Sequence, residues 1–272
     1  MNFTVLGGNG FIGRQLVNKL RREGHTCHVP DRPLEKIIGE SLGHVIYCIG
    51  LTADFRQRPF DTVEAHTCLV NRLLHDASFE SFLFLSSARI YLGGTDGSEE
   101  AKLTIDPTEP DDLYNITKLA GESICLAQNN PRVRVVRPTN VFGYDPYSTN
   151  FLSAILKDGI ASGRISLRSN AESAKDYVDV EDVVDMLPRI AVHGQHRVYN
   201  IGAGERISNR ELIVAVARIL GCQIEMSESG NVVVFPEVSI SRLRNEFDFR
   251  PQRLLSKLEN LVAKYKEGLE VV

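Results

Sequence analysis

The hydrophobic pattern has a regular rhythm in the first half of the chain. Short apolar runs rich in β-branched and aromatic residues alternate with amphipathic stretches of helical period. The runs predict strands at residues 3–6, 26–29, 44–48, 81–85 and 132–137. The stretches between them predict helices at residues 12–23, 59–77 and 111–128. This alternation is typical of a parallel sheet covered by helices. In the last run arginine and valine alternate, which is less typical of a strand buried on both faces.

From about residue 140 the rhythm loosens. Helical periodicity returns at residues 151–158, 209–221 and 254–266, with short β-like runs at 164–167, 198–201 and 232–235. The pattern predicts a smaller lobe lying over the edge of the sheet, with the chain crossing back to the sheet at least once.

Composition and charge exclude several classes of protein. The 272 residues are 43% hydrophobic and 24% charged, as in an ordinary globular protein. A net charge of -4 indicates neither a nucleic-acid-binding nor a membrane-surface protein. The five cysteines lack the spacing of a metal site and are expected to be buried free thiols. No apolar run is long enough for a membrane span, and Met1 leads directly into the first strand without room for a signal peptide. We therefore expect a cytoplasmic protein without a metal.

A glycine-rich segment, Gly7-Gly-Asn-Gly-Phe-Ile-Gly13, joins the first strand to the first helix. The glycines at positions 7, 10 and 13 permit a tight turn, the close approach of a pyrophosphate and close packing of the helix on the strand. The amides at the helix N-terminus would point at the phosphates. An ordinary turn between a strand and a helix is the alternative interpretation.

Asp31 follows the second strand at about the distance that a dinucleotide-binding fingerprint requires. Its carboxylate could accept both ribose hydroxyls of NAD and would repel a 2′-phosphate. The neighbouring Arg32 could instead bind the phosphate of NADP. The pair favours NAD and leaves NADP open.

Tyr114 and Lys118 lie four residues apart, which places a phenol and an ammonium on one face of a helix. A tyrosine with a pKa near 10 is a poor base at neutral pH. A nearby cation would lower that pKa, and Lys118 could supply this charge while it binds the nicotinamide ribose. Ser87, at the end of a strand, could hold the substrate oxygen against Tyr114. Taken singly, Tyr114 could be an exposed tyrosine and Ser87 a helix cap.

Together these motifs resemble the extended short-chain dehydrogenase/reductases, the NAD-dependent epimerase/dehydratase group typified by UDP-galactose 4-epimerase. The matching segments run almost from end to end: GGNGFIG at 7–13, VIYCIGLTA at 45–53, FLSSARIY at 84–91, EPDDLYNITKLAGE at 109–122, RPTNVFG at 137–143, KDYVDVEDVV at 175–184, VYNIGAGERISNREL at 198–212 and FDFRP at 247–251. They are specific for the superfamily and not for one substrate.

The resemblance implies an α/β fold, a Rossmann-like doubly wound parallel sheet with a smaller C-terminal substrate-binding lobe. Residues 1–140 and about 176–203 would form the NAD(P)-binding domain, and residues 141–175 and 204–272 the lobe. The implied catalytic residues are Ser87, Tyr114 and Lys118. The implied cofactor-binding residues are Gly7, Gly10, Phe11, Ile12, Asp31, Arg32, Cys48, Ile49, Gly50, Thr52, Lys118 and Thr139. Ser87, Asn140 and Lys175 would contact a nucleotide-sugar substrate, with Asn140 and Lys175 at its diphosphate.

The chain departs from the family pattern at several positions. The short interval between Asp31 and the strand at residue 44 implies a sheet with one strand fewer. His66 replaces a usual asparagine, and Asp179 a usual histidine. Positions 88 and 89, where relatives that eliminate water carry acids, are Ala88 and Arg89. An outward, solvated Arg89 is expected, although a contact with the sugar or a phosphate is the alternative.

The absence of carboxylates at positions 88 and 89 disfavours dehydration and decarboxylation. We therefore expect an NAD-dependent nucleotide-sugar epimerase that acts through a transient keto-sugar. The first alternative is an NAD(P)H-dependent reductase of a nucleotide-linked keto-sugar, and the second is a non-catalytic sensor or scaffold. The helices at 59–77 and 111–128 resemble those that form a dimer interface in this family, so a homodimer is expected.

Overall fold

A six-stranded parallel sheet forms the centre of the molecule. The computed structural model describes residues 1–31, 37, 39–52, 54–167, 169–226, 230–233 and 235–270. The strands of the sheet are β1 (Asn2–Leu6), β2 (Thr26–His28), β3 (His44–Tyr47), β4 (Ser81–Leu85), β5 (Val133–Pro138) and, late in the chain, β10 (Val198–Ile201). Their order is β10-β5-β4-β3-β1-β2, and every neighbouring pair is parallel. The predicted doubly wound parallel sheet is confirmed.

Helices cover both faces of this sheet. On one face lie α1 (Phe11–Arg22) and α6 (Val180–His193). On the other lie α2 (Pro59–Val63), a π-helical turn (Glu64–Cys68), α3 (Leu69–Asp76) and α4 (Leu113–Ala127). Each face has its own apolar core: Leu16 and Leu187 are fully buried in one, and Val70 and Phe84 in the other.

A third apolar core lies outside the sheet. It is built mainly from α5 (Phe151–Ser162), α7 (Asn209–Leu220) and α9 (Leu254–Glu270). Three two-stranded sheets accompany it: β6 (Asn140–Phe142) with β9 (Tyr177–Asp179), β7 (Arg164–Leu167) with β12 (Gln223–Met226), and β8 (Ala174–Lys175) with β11 (Ile207–Ser208). A last helix, α8 (Ser241–Phe247), packs beside β10.

The structure differs from the predicted elements in a few places. Two helices, α6 and α8, are not among those predicted, and α6 contains Pro188, which breaks the usual helical signal. Residues 232, 233 and 235 form no strand among the described residues. The helix predicted at 59–77 contains the π-helical turn. The described residues show no strand between β2 and β3, although residues 32–36 and 38 lie outside the described part.

The arginines of β5 do not face solvent. All six residues of this strand are buried, including Arg134 and Arg137. Arg134 donates to the Ala191 carbonyl at 3.1 Å. Arg137 pairs with the buried Glu122 at 2.6 Å. Two of the three charged positions in the alternating run, Arg134 and Arg137, therefore lie in the interior with specific acceptors, whereas Arg132 is exposed just before the strand.

Two further features concern cysteines and membranes. All five cysteines are free; Cys125 is buried and the other four are half-buried.

Within the described ranges, every helix is too short or too polar to cross a lipid bilayer.

Candidate active site

The glycine-rich turn lies where the strand order reverses, between β1 and β3. Gly7 has a φ of +84°, and a Cβ there would lie 2.9 Å from the Cys48 carbonyl carbon. A Cβ on Gly13 would lie 2.2 Å from the Gly7 oxygen, so a side chain would separate helix from strand. By contrast, a Cβ on Gly10 would have its nearest contact at 3.4 Å, which leaves this side of the turn open. The turn has the shape that a pyrophosphate at the α1 N-terminus requires.

The other predicted cofactor-binding residues lie around this turn. Phe11 and Ile12 begin α1 and are half-buried, and Ile49 is buried next to Gly7. Asp31 and Thr52 are exposed, beyond the carboxyl ends of β2 and β3. Arg32 lies outside the described residues. The carboxyl ends of parallel strands share one edge, so these segments frame one crevice there.

Burial strongly perturbs the Cys48 thiol in this crevice. It raises the pKa of Cys48 to about 12, although the charge of Lys118 acts in the opposite direction. At neutral pH Cys48 is therefore a protonated thiol that can line a cofactor site but does not act as a nucleophile.

The three predicted catalytic residues come from two neighbouring elements. Ser87 directly follows β4 and caps the 3₁₀ turn Ala88–Tyr91, its hydroxyl accepting from the Arg89 amide at 3.1 Å. Tyr114 and Lys118 lie one turn apart on α4, and each is only 4% exposed. The Lys118 ammonium donates to the Leu85 carbonyl at 2.8 Å and lies 6.0 Å from the centre of the Tyr114 ring. Ser87 is thus both a cap and a neighbour of the phenol.

The pKa of Tyr114 departs from the sequence-based expectation. Burial raises it, and the two opposing influences are the Ser87 hydroxyl and the Arg89 guanidinium. Lys118 is not among these opposing influences, and burial lowers its own pKa to about 8. The prediction that Lys118 lowers the Tyr114 pKa is therefore wrong for this structure: desolvation outweighs the attraction.

A buried histidine connects the cofactor crevice to the catalytic helix. His66 is fully buried in the π-helical turn, and its Nε2 accepts from the Leu51 amide at 3.2 Å. Because Nε2 is an acceptor, Nδ1 carries the proton and can donate to Thr117 Oγ1 at 2.9 Å. Thr117 in turn donates to the Tyr114 carbonyl at 3.1 Å. Burial and the charge of Lys118 lower the pKa of His66 to about 2, so it stays neutral.

His66 also lies directly against the catalytic groups. Its ring meets that of Tyr114 edge to face at 5.3 Å. A Cβ on Gly50 would lie 3.2 Å from both His66 Nε2 and Lys118 Nζ. The replacement of the usual asparagine thus places an imidazole at the junction of Tyr114, Lys118 and the 50–52 loop, a role that spacing alone did not indicate.

The predicted substrate side is organised by Asp176, which the sequence analysis did not single out. Its buried carboxylate accepts from the Thr139 hydroxyl and the Ala203 amide, both at 2.8 Å. Asn140 is exposed and donates its side-chain amide to the Asp176 carbonyl at 2.9 Å. Asp176 therefore fixes the loop that follows β5.

Lys175 and Asp179 flank this loop. Lys175 is half-buried, with its ammonium 5.9 Å from the Phe151 ring centre, and burial together with the Arg89 charge lowers its pKa. Asp179 caps α6 by accepting from the Glu181 amide at 2.9 Å. Its departure from the usual histidine thus has a structural explanation.

Arg89 does not extend into solvent, so the expectation of an outward side chain is wrong. Its guanidinium carbon lies 5.8 Å from the Phe55 ring centre and 5.9 Å from that of Tyr114. Phe55, only 2% exposed, packs on Tyr114 at 5.5 Å and completes this wall. The aromatic faces hold the guanidinium beside the phenol.

The comparisons with known proteins agree with this arrangement. The model of the NAD dependent epimerase/dehydratase family matches residues 3–202. The chain belongs to this family. It is 26% identical to the UDP-glucose 4-epimerase of Mycolicibacterium smegmatis over 83% of this chain and 84% of that protein.

Two solved structures show the same fold. MoeE5 in complex with UDP-glucose and NAD has a TM-score of 0.81 at 22% identity, covering 99% of this chain and 100% of that one. RMD from Pseudomonas aeruginosa, complexed with NADPH, has a TM-score of 0.76 at 22% identity, with 98% and 100% covered. The family recognition and the nicotinamide cofactor predicted from sequence are confirmed.

The buried Lys118 predicts a trade-off between stability and function. We expect Lys118→Met to abolish turnover and to raise the free energy of unfolding at pH 7 by about 2 kcal/mol. A pKa lowered from 10.5 to about 8 corresponds to a cost of roughly 3 kcal/mol for the charged form, less about 1 kcal/mol for the lost hydrogen bond. Denaturant unfolding of both proteins measures the gain.

The stability gained by Lys118→Met should depend on pH. The folded-state pKa is lowered, so the cost is fully present below about pH 8 and disappears as the pH rises toward the unfolded value. The gain of Lys118→Met should therefore shrink between pH 7 and pH 10. A gain that is constant over this range would contradict the assignment.

Proposed function

We propose that the protein is an NAD-dependent nucleotide-sugar epimerase that acts through a transient keto-sugar. The observation that carries the proposal is the gathering of Ser87, Tyr114 and Lys118 beside the glycine-rich turn, with Ala88 and Arg89 at the positions where a dehydratase would have acids. Ala88 carries only a methyl group and is 4% exposed, so this position supplies no acid for the elimination of water.

The glycine-rich turn fits the cofactor. Gly10 leaves an open approach to the α1 N-terminus, and Asp31 is exposed at the end of β2, where it can accept the ribose hydroxyls of NAD. Bound NAD would supply reversible hydride transfer to and from the sugar carbon. Lys118, whose ammonium would be close to any side chain at Gly50, would hold the nicotinamide ribose.

The protein groups supply the proton transfer. Tyr114 takes the proton of the sugar hydroxyl as the carbonyl forms and returns it when the carbon is reduced from its other face. Ser87 holds the hydroxyl at the phenol. Burial raises the Tyr114 pKa, and Ser87 and Arg89 limit this rise, which reduces the cost of forming the base for the first step.

The substrate would bind between two parts of the chain. We assign residues 1–140 and about 176–203 to the cofactor and residues 141–175 and 204–272 to the sugar nucleotide. The assignment is supported by β10, which joins the central sheet, and by the separate apolar core formed by α5, α7 and α9. Asn140 and Lys175 would contact the diphosphate, Lys175 as a single charge.

Incubation with UDP-, dTDP- and GDP-sugars and catalytic amounts of NAD tests the proposal. Epimers should form without net consumption of NAD, and tightly retained NAD should be released on denaturation and identified by mass spectrometry. The second candidate is a reductase of a nucleotide-linked keto-sugar, which the same set of Ser87, Tyr114 and Lys118 could serve. It would consume NADPH stoichiometrically and yield no epimer from the parent sugar, an outcome that would exclude the epimerase.

A homodimer is proposed on the face formed by α2 and α4. Phe60 is 88% exposed there, and Val63 and Leu126 are also exposed, whereas Val70 and Leu73 pack on the sheet. Burying such apolar side chains against a second copy would remove them from water. Light scattering should report twice the mass of the chain, and Phe60→Asp should shift it toward the monomer; a wild-type monomer contradicts the proposal.

A further inference from the structure

Arg89 is a cation placed at the reacting end of the site. It follows Ser87 by two residues, and its guanidinium lies against the rings of Phe55 and Tyr114 at 5.8 and 5.9 Å. The side chain is half-buried. Two aromatic faces restrict its rotamers, so the planar group is oriented before any ligand binds.

Arg89 forms no ion pair in the described part of the chain, although its charge, after that of Arg56, helps to lower the pKa of Asp111. Its one side-chain hydrogen bond there is a long one, 3.5 Å from Nη2 to the Asp111 carbonyl, and its Nε is buried with no partner. The nearby Asp111 carboxylate is already occupied by Arg56 through both of its oxygens. A half-buried guanidinium that shares its nearby carboxylate with another arginine keeps donors free for an anionic group of a ligand.

A second cation, Lys175, indicates which part of the sugar nucleotide each of the two positive charges binds. Lys175 also takes part in no ion pair within the described ranges, and the Arg89 charge is near enough to lower its pKa. The proposed function places the diphosphate at Lys175 and the reacting hydroxyl at Tyr114. We take the reacting hydroxyl to be that of carbon 4, as in the name of the UDP-glucose 4-epimerase relative. A pyranose carries its diphosphate on the anomeric carbon, across the ring from carbon 4, whereas carbon 6 is attached to the neighbour of carbon 4. An anion at Arg89 is therefore a substituent of the sugar, and not the diphosphate.

A guanidinium recognises a carboxylate with two parallel hydrogen bonds, which a neutral hydroxymethyl group cannot reproduce. We propose that Arg89 binds the carboxylate of a hexuronic acid, so that the substrate is a nucleoside-diphosphate-linked uronic acid. This inference rests on the proposed function for the orientation of the sugar. It adds a specificity-determining residue and a chemical class of substrate.

Calorimetric titration with matched pairs tests the proposal independently of turnover. In the presence of NAD, UDP-glucuronate is compared with UDP-glucose, and GDP-mannuronate with GDP-mannose. The wild-type protein should bind at least one uronate more tightly than its neutral partner by roughly 10- to 100-fold, as expected for charge-assisted hydrogen bonds. Arg89→Met, which keeps the apolar contact with Phe55, should remove that preference and leave the neutral sugar almost unaffected.

Arg58→Met is the matched control. Arg58 lies in the same segment but is exposed and paired with Asp54 and Asp61, which leaves Asp111 with Arg56. Its removal should leave the preference for the uronate intact. Arg89→Lys, which keeps the charge but loses the planar fork, should retain only part of that preference.

The outcomes separate this inference from the proposed function. Selective, Arg89-dependent binding of a uronate without formation of an epimer would support the inference and reject the epimerase. Epimerisation of neutral sugars with no preference for a uronate would support the epimerase and reject the binding of a carboxylate by Arg89. The inference is also overturned if no uronate binds better than its partner, or if Arg89→Met weakens both members of a pair equally, since Arg89 would then act on Tyr114 or the diphosphate.

Discussion

Replacing Tyr114 by phenylalanine is expected to lower turnover by about two to four powers of ten, the usual contribution of a positioned acid or base. The ring contacts with Phe55 at 5.5 Å and His66 at 5.3 Å do not involve the hydroxyl, so folding should be preserved. Steady-state kinetics of epimer formation, together with thermal unfolding of both proteins, measures the two effects separately.

Tyr199→Phe removes the same atom from another buried tyrosine and serves as the control. Its hydroxyl donates to Glu246 at 2.6 Å and accepts from the His196 amide at 2.8 Å, far along the chain from the catalytic residues. Loss of these two hydrogen bonds should cost roughly 1–3 kcal/mol of stability and leave turnover unchanged. If Tyr114→Phe retained turnover within tenfold of the wild type, the phenol would not be the acid–base group. Unchanged biological function without turnover would instead favour a scaffold.

Replacing Glu122 by glutamine is expected to lower the free energy of unfolding by about 3 kcal/mol, because it leaves the Arg137 charge uncompensated in the interior. Both side chains are almost inaccessible, with exposures of 3% and 6%. Arg137 also donates to the Tyr91 hydroxyl at 2.7 Å, and Tyr91 donates to Asn200 at 2.8 Å. The pair therefore joins α4 to β5 and β10, and its loss should lower the melting temperature by roughly 5–10 °C.

Two variants test whether this effect comes from burial. Glu172→Gln breaks the exposed pair with Arg210, and it should change stability by less than about 0.5 kcal/mol. The double replacement Glu122→Leu with Arg137→Met removes both charges and should recover most of the loss. If Glu122→Gln proved as mild as Glu172→Gln, the buried carboxyl would not carry a charge in the folded protein.

Glu122 contributes both to the stability of the fold and to the charge of the catalytic residue Lys118. It lies one turn after Lys118, and its charge raises the pKa of that lysine against the effect of burial. The same carboxylate thus neutralises Arg137 and helps to keep Lys118 protonated.

Local patterns in the sequence determined the fold class and the principal site. Five strands, the glycine-rich turn and the four-residue spacing of Tyr114 and Lys118 are set by interactions between positions close in the chain. Gly7 illustrates this, since only glycine adopts its φ of +84° without strain next to Cys48. The family resemblance then indicated how these pieces meet at one edge of the sheet.

The sequence was less informative where the tertiary structure buries residues that the local pattern assigns to the surface, and where a helix contains proline. The arginines of β5 indicated an exposed face, but their acceptors come from α4 and α6. Helix α6 was missed because Pro188, a residue unfavourable inside a helix, interrupts a run whose apolar residues otherwise follow helical spacing.

Only the tertiary structure decided the electrostatics of the site. His66 and Thr117 are 51 positions apart in the chain, and their contact follows from the packing of the π-helical turn on α4. The position of Arg89 between Phe55 and Tyr114 and the pKa of Tyr114 likewise depend on how much water the surrounding elements exclude. Solvation is a property of the whole packed structure. The sequence motifs therefore identified the chemical groups of the site, whereas tertiary packing determined their charges and orientations.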